Sequence, residues 1–405
     1  MSRPELRTST SRRRRPRGFT LVELLVVVVI IGILVALLVP AIANAVKTAN
    51  NARVTGEINA MTTALAAFKD KYGEYPPSRI LLSETGSYPL ISDPTLLSNP
   101  SIPWVRPPLN ISPTDITLGD LTARSLRYLR RFFPQAVIIN SPSSPFPPGY
   151  FPDYNGNSVL QVGMGAAPTP DQGYIYLEGD ECLAFFLGGI PSQTGAALGM
   201  SGFAKDPLKP FAAPGDTSIA PYGSYPLIFS SSRNAPFYDF AGGRLIDLDG
   251  DLIPSFMDPL HSGVDARPYA YFSAYGSNGY DPNDVNFVEP DENATVLASG
   301  RNYTVSFSGN GGSRGTFSFA PNPYTSTPPV PLTAGQAATF LKADSFQIVS
   351  AGADGFYGVA GQWLSDSTER MPYDAGIAAA LSPPNQTIRK REQDNLTSFS
   401  SSKLD

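Results

Sequence analysis

The chain has 405 residues, 42% of them hydrophobic, enough for a sizeable core, while 40 Pro and 36 Gly favour turns and long connections over a compact helical enzyme. The net charge of −5 is uneven: residues 1–18 hold seven Arg and one Glu, and the other 387 residues carry 23 basic and 34 acidic side chains. An acidic body behind a short basic N-terminus argues against a nucleic-acid-binding face, and the single cysteine, Cys182, excludes an intramolecular disulfide.

The first element is an apolar run. From Phe19 to Ala43 the only charged residue is Glu23, and Leu24–Val39 is unbroken apolar sequence. As a helix this run spans about 37 Å, enough to cross a bilayer core. The Arg cluster precedes it and nothing comparably basic follows, so residues 1–18 are expected in the cytoplasm and the remainder outside. Three readings compete. One is a secretory signal cleaved near "AIAN" (Ala41–Asn44), another a twin-arginine signal in "RRRRPRGF" (Arg12–Phe19), and the third a permanent anchor cut between Gly18 and Phe19.

Glu23 separates them. A carboxylate at the start of so long an apolar core suits neither signal peptide. In the third reading it becomes the fifth residue of the mature chain. A lone carboxylate in hydrocarbon costs about 3 kcal/mol or more, so it needs a partner. The N-terminal ammonium of a neighbouring, staggered subunit provides one, and the pair fixes register between subunits.

"GFTLVELLVVVVIIGILVALLVPAI" (Gly18–Ile42) resembles the prepilin signature of type IV pilins and type II secretion pseudopilins. The resemblance places Gly18 before the cut, Phe19 as first mature residue, Glu23 as the assembly carboxylate, and Pro40 where the helix loosens during filament assembly. On the residues alone, Pro40 is a kink near the end of the membrane segment. The resemblance implies a prepilin peptidase that cleaves after Gly18 and methylates the new amine. It also implies an inner-membrane assembly platform, and copies of the chain or other pilin-like subunits as partners.

Beyond Pro40 the apolar pattern becomes periodic. Val54, Ile58, Met61, Leu65, Phe68 and Tyr72 recur every three or four residues, which predicts one helical stripe packed on a sheet. Gly73 and "EYPPS" stop the helix. Phe19–Tyr72 is then a spine about 81 Å long if continuous. "ALAAFKDKYGEYPPS" (Ala64–Ser78) is similar to the end of the spine helix in major pseudopilins, whose Gly-x-Tyr-Pro turn type IVa pilins usually lack.

The expected organisation is a leader (1–18), a transmembrane helix (19–43), an amphipathic extension (44–73), a periplasmic head (74–384) and a polar, Ser-rich, disordered tail (385–405). Within the head, "LTARSLRYLRRFF" (Leu121–Phe133) reads as a basic helix with a solvated face, and "EGDECLAFFLGGI" (Glu178–Ile190) as a short helix with Leu183, Phe186 and Leu187 inward. "YPLIF", "GRLIDL", "PYAYFSAYG", "YTVSFSG", "GTFSFA" and "SFQIVSAG" read as antiparallel strands. The fold class is therefore α+β: a long N-terminal spine helix packed on an antiparallel sheet, with loop-rich insertions. "MDPLHSGVDARPYAYFSAYG" (Met257–Gly276) and "FQIVSAGADGFYG" (Phe346–Gly358) resemble a recurrent pseudopilin strand element and the family's last strand and loop. Residues 78–255 and 277–340 look like insertions into that shorter head.

Two stretches invite Ca2+. In "DLDGD", Asp247, Asp249 and Asp251 alternate, with Asp258 seven residues on, but Gly250 stands at loop position 4 where an EF-hand needs it at 6, and a tight Asp-Gly turn explains the stretch as well. The other is the C-terminal loop. Resemblance to the calcium loop of major pseudopilins points to Asp354, with Asp366 closing it, although the usual acidic run is replaced by "FYGVAGQW". Catalysis is not expected. His261 is the only histidine, and neither "VGMGAAP" (Val162–Pro168) nor "GNGGSRG" (Gly309–Gly315) sits between a clear strand and a helix. The expected role is structural, a subunit of a type II secretion pseudopilus. A type IV pilus subunit and a membrane-anchored ligand-binding protein that does not polymerise are the alternatives.

Overall fold

The structure is a computed structural model describing residues 20–84, 118–136, 152–157, 174–194, 197–215, 228–248, 250–263, 266–274, 279–281, 284–285, 306–309, 312–315, 321–328, 338–358, 360–372 and 387–404. Gly18, Phe19, Asp249, Val162–Pro168 and nearly all of "GTFSFA" lie outside the described residues. The class is the expected α+β, one long apolar helix followed by small sheets and loops. The chain divides into two units, residues 1–50 and 51–405.

Helix α1 (Leu21–Tyr72) begins in the first unit. Every large apolar residue from Leu21 to Val46 is exposed there. Its most apolar 18-residue window has a mean hydropathy of 3.3, and none of that window is buried. Among the described residues it is the one helix long and apolar enough to cross a membrane. Pro40 lies within it and the helix continues through. A proline removes one N–H from the ladder, a loss that membrane-spanning helices tolerate where neighbouring groups satisfy the freed carbonyl.

In the second unit the periodic stripe is buried: Val54, Ile58, Met61, Leu65 and Phe68 lie in the core, and Tyr72 is half-buried. Strand β1 (Ile80–Ser83) follows the helix, then α2 (Leu118–Phe132), β2 (Tyr174–Leu177) and α3 (Gly179–Gly188). β1 and β2 pair antiparallel, and Ser125 of α2 accepts the Leu81 N–H at 2.9 Å, covering the free edge of β1. Buried along its whole length, α3 opens with a capping box between Glu178 and Glu181. Cys182 is a buried thiol within it, pushed well up in pKa by burial. The aromatic partners of the stripe come chiefly from helices. Phe68 meets Phe132 of α2 at 5.1 Å, Phe186 of α3 at 5.9 Å and the loop residue Phe237 at 5.3 Å.

Short pairs follow. β3 (Pro191–Thr194) and β4 (Ala197–Met200) form a hairpin, β5 (Ala213–Pro214) runs parallel to β6 (Phe229–Ser230), and β7 (Leu245–Ile246) is antiparallel to β8 (Ser255–Phe256). Beyond β9 (Ala270–Ser273) comes a second hairpin, β10 (Ser306–Gly309) with β11 (Gly312–Gly315). β12 (Tyr324–Thr325), β13 (Phe346–Ser350), β14 (Gly361–Gln362), α4 (Thr387–Arg391) and β15 (Leu396–Thr397) complete the order. β13 is the centre of an antiparallel sheet, with Phe346 opposite Ser273 of β9 and Ser350 opposite Leu396 of β15. The two strands expected from "PYAYFSAYG" and "SFQIVSAG" are therefore neighbours.

β15 corrects an expectation. The C-terminal segment, expected to be disordered, is folded against the head. Leu396 and Leu404 are buried, Phe399 packs on Tyr324 and Trp363, and Trp363 Nε1 donates to the Leu404 carbonyl at 3.3 Å. Arg389 and Glu392 form a buried pair at 3.2 Å. Average composition hid this, because three apolar residues suffice to fill one gap when the polar ones between them are hydrogen-bonded.

The basic helix corrects another. Arg127 and Arg131 are half-exposed beside Glu74, as a solvated face requires, but Arg124 is buried and faces Asp284 at 3.8 Å. Arg79 joins the same cluster, 2.7 Å from Asp281 and 3.1 Å from Asp284, and Ser78 Oγ donates to Asp284 at 2.5 Å. Burial raises the pKa of Asp284, opposed by Arg124 and Arg79. Breaking such a pair costs about 3–5 kcal/mol, because the remaining charge has no water. The cluster therefore ties the start of β1 to Asp281 and Asp284, some 200 positions further along the chain, and α2 to Asp284, 160 positions on.

Candidate functional site

The N-terminal site begins at Thr20. Its backbone N–H and its hydroxyl both donate to Glu23 Oε2 at 2.9 Å, and the Glu23 N–H donates back to Thr20 Oγ1 at 3.2 Å. Thr20 is thus the N-cap and Glu23 the third residue of a capping box, which satisfies donors that a helix start leaves orphaned. Sequence reasoning treated Glu23 as a carboxylate awaiting a partner from another chain. Within its own chain it already has one. The T-x-x-E spacing of Thr20 and Glu23 was the signal available for it. The carboxylate keeps capacity for a further donor, since a carboxylate offers about four lone-pair sites.

At the other end of the helix, the Gly73–Pro77 turn is locked to the central sheet. Tyr75 packs edge-on against Phe346 of β13 with ring centroids 5.0 Å apart, and Tyr271 of β9 donates from its hydroxyl to the Pro76 carbonyl at 2.8 Å. One turn above the start of the buried stripe, Glu57 accepts both Nη atoms of Arg244, at 2.7 and 2.8 Å, and the Tyr269 hydroxyl at 2.8 Å. The Arg244 guanidinium lies 4.2 Å over the Phe256 ring and also donates from Nε to the Met257 carbonyl at 2.9 Å. The helical segment from Val54 to Tyr72 is thereby fixed to the head by a stripe, an ion pair and a turn.

In the first calcium candidate, the carboxylates of Asp247 and Asp251 are used locally. Asp247 accepts the N–H groups of Gly250 at 2.7 Å and Leu252 at 3.0 Å, and Asp251 accepts that of Ile253 at 2.7 Å. Asp258 is buried away from them, accepting from the Ser350 hydroxyl and from the Leu260 N–H at 2.8 Å.

The second candidate, the loop after β13, has a different closing partner from the one expected. Asp366 lies exposed after β14, and the carboxylate brought to the loop is Asp394, whose Oδ2 accepts the N–H groups of Ala353 at 2.8 Å and Asp354 at 3.2 Å. Asp354 Oδ1 accepts the Phe356 N–H at 2.9 Å. Partial burial, reinforced by the charge of Asp394, pushes the Asp354 carboxyl up to about 6. Sequence reasoning missed Asp394 because it sits in the segment expected to be disordered. Among the described residues, no three His, Cys, Asp or Glu side chains converge where they could hold a metal ion.

Residues 13–39 match the prokaryotic N-terminal methylation motif. That motif is the signal of type IV pilins and pseudopilins, so the chain carries the mark of a pilin-like substrate of prepilin peptidase that assembles with other pilin-like subunits. Together with the exposed apolar helix it indicates a membrane-anchored protein, and proteins that carry this motif are structural rather than catalytic. No curated protein and no solved structure matches the chain.

Proposed function

We propose that the chain is a structural subunit of a type II secretion pseudopilus, cleaved after Gly18 and inserted into the filament by its N-terminal helix. The observation that carries this is the pairing of the methylation motif with a helix half in which no large apolar side chain is buried. Such a surface requires lipid before assembly and neighbouring helices within a filament. The Gly73–Pro77 turn favours the pseudopilus over the type IV pilus, because it resembles the major pseudopilin turn and is built into the head through Tyr75 and Tyr271. In this reading the head is periplasmic, residues 1–18 are cytoplasmic, and the assembly platform extracts the subunit from the inner membrane.

Glu23 acts in two stages. In the isolated subunit Thr20 satisfies the carboxylate, lowering the cost of holding it near hydrocarbon. In the filament the methylated amine of a neighbour adds a charged partner and sets register. The test is Glu23→Ala in cells expressing the secretion machinery, scored for cleavage by gel mobility and for filaments by shearing and microscopy. Cleavage should persist while filaments fall at least tenfold. Glu23→Gln should retain the cap through its amide oxygen yet still assemble poorly, because the charge is gone. Normal filaments from both variants would remove the role assigned to Glu23.

A further inference from the structure

We propose that the loop from Ala351 to Ala360 is held shut by side chains of its own chain and needs no bound cation. The loop runs from the end of β13 towards β14, and it resembles a loop that in major pseudopilins holds calcium, so its oxygens are the ones to account for. The Gly352 carbonyl faces His261 Nε2 at 2.9 Å. A carbonyl only accepts, so this ring carries its proton on Nε2 and donates. The Gly355 carbonyl accepts from Arg267 Nε at 3.1 Å, and the Tyr357 carbonyl from Asn395 Nδ2 at 2.9 Å. On the carboxylate side, Asp394 takes the Ala353 and Asp354 N–H groups, Asp354 takes that of Phe356, and Glu392 takes that of Ala360 at 3.1 Å.

Three cationic or donor side chains therefore sit on the carbonyls, and carboxylates sit on the amides. Calcium takes about 6–8 oxygens, several of them from carboxylates, and among the described residues no three His, Cys, Asp or Glu side chains converge here to supply them. The clamp is also tight against the backbone. Gly352 has φ of 68°, and a Cβ there would lie 2.5 Å from the Asp394 carbonyl oxygen. At Gly355 a Cβ would come within 3.2 Å of the His261 ring. The Arg391 guanidinium covers Phe356 at 4.3 Å from its ring centroid, closing the outer side. Of the side chains that hydrogen-bond the loop from outside it, Glu392, Asp394 and Asn395 belong to the C-terminal segment, so that segment does here what a metal ion does for a loop without such partners.

The experiment is thermal unfolding of the full chain in detergent micelles, with millimolar Ca2+ or with a calcium chelator. The wild type should melt at the same temperature in both. Asp394→Ala and His261→Ala should each lower the midpoint by about 2–4 °C in either condition. His261→Gln, whose amide can still donate, should lie nearer the wild type than His261→Ala. It reads the same contact if Asp394→Ala fails to fold. A saturable rise in midpoint with Ca2+ that Asp354→Ala abolishes would overturn the proposal, and so would clamp variants that all melt like the wild type.

Discussion

Between Leu21 and Val46 the large apolar side chains of α1 are 48–79% exposed, whereas between Val54 and Phe68 the apolar stripe of the same helix is at most 5% exposed. Both halves are regular helix, so backbone structure does not distinguish them. Their surroundings do. The second half has a one-sided stripe that a head of matching shape covers, and the first is apolar all round, which no single-sided packing can bury. The comparison shows how one element can serve two surroundings: the second half is held by its own chain, and the first offers its apolar surface to what lies outside it.

The largest effect that would break this contrast is on packing. Phe68→Ala, at the meeting point of α1, α2 and α3, should destabilise the head by about 3–5 kcal/mol in a denaturant melt. The equally apolar change Leu34→Ala should leave that melt unchanged, because Leu34 is 59% exposed and touches no core. Equal losses from the two would mean that the first half of α1 is part of the folded core.

A smaller effect sharpens it. Glu57→Gln keeps shape but removes the charge that Arg244 and Tyr269 both bind, which should cost about 1.5–3 kcal/mol, measurable as a lower denaturation midpoint. The stripe alone holds the helix if that midpoint does not move.

The smallest concerns pH. The Asp354 carboxyl titrates near 3.8 when free and at about 6 in the folded loop, so the folded state holds its proton more tightly. Its contribution to stability is fully present below about pH 4 and is lost as pH rises through about 6. Asp354→Asn should therefore flatten the pH dependence of the melting temperature between pH 4 and 7. An unchanged slope would place that titration elsewhere.

Local pattern made these legible: the Val54–Phe68 stripe through its 3.6-residue period, and the apolar run of α1, α3 and the strands β9 and β13 through apolar runs bounded by Gly, Pro or charged residues. Partners far apart in sequence left no such trace. Arg124 looked like a solvated arginine because its mate, Asp284, lies 160 residues away, and Asp394 could not be placed beside Asp354 by any spacing rule. The folded C-terminal segment was lost for a related reason: its order depends on pockets formed by Tyr324, Trp363 and β13, none of them nearby in sequence. The Thr20–Glu23 box was local and readable, but the membrane context drew attention to partners outside the chain.

The central claim is that the chain is matured at Gly18 and kept as a membrane-anchored subunit. The most direct test is the intact mass of the protein isolated from membranes. The account predicts a chain that begins at Phe19 and is heavier by one methyl group. A chain that begins at Asn44 would make this an ordinary exported protein and contradict it.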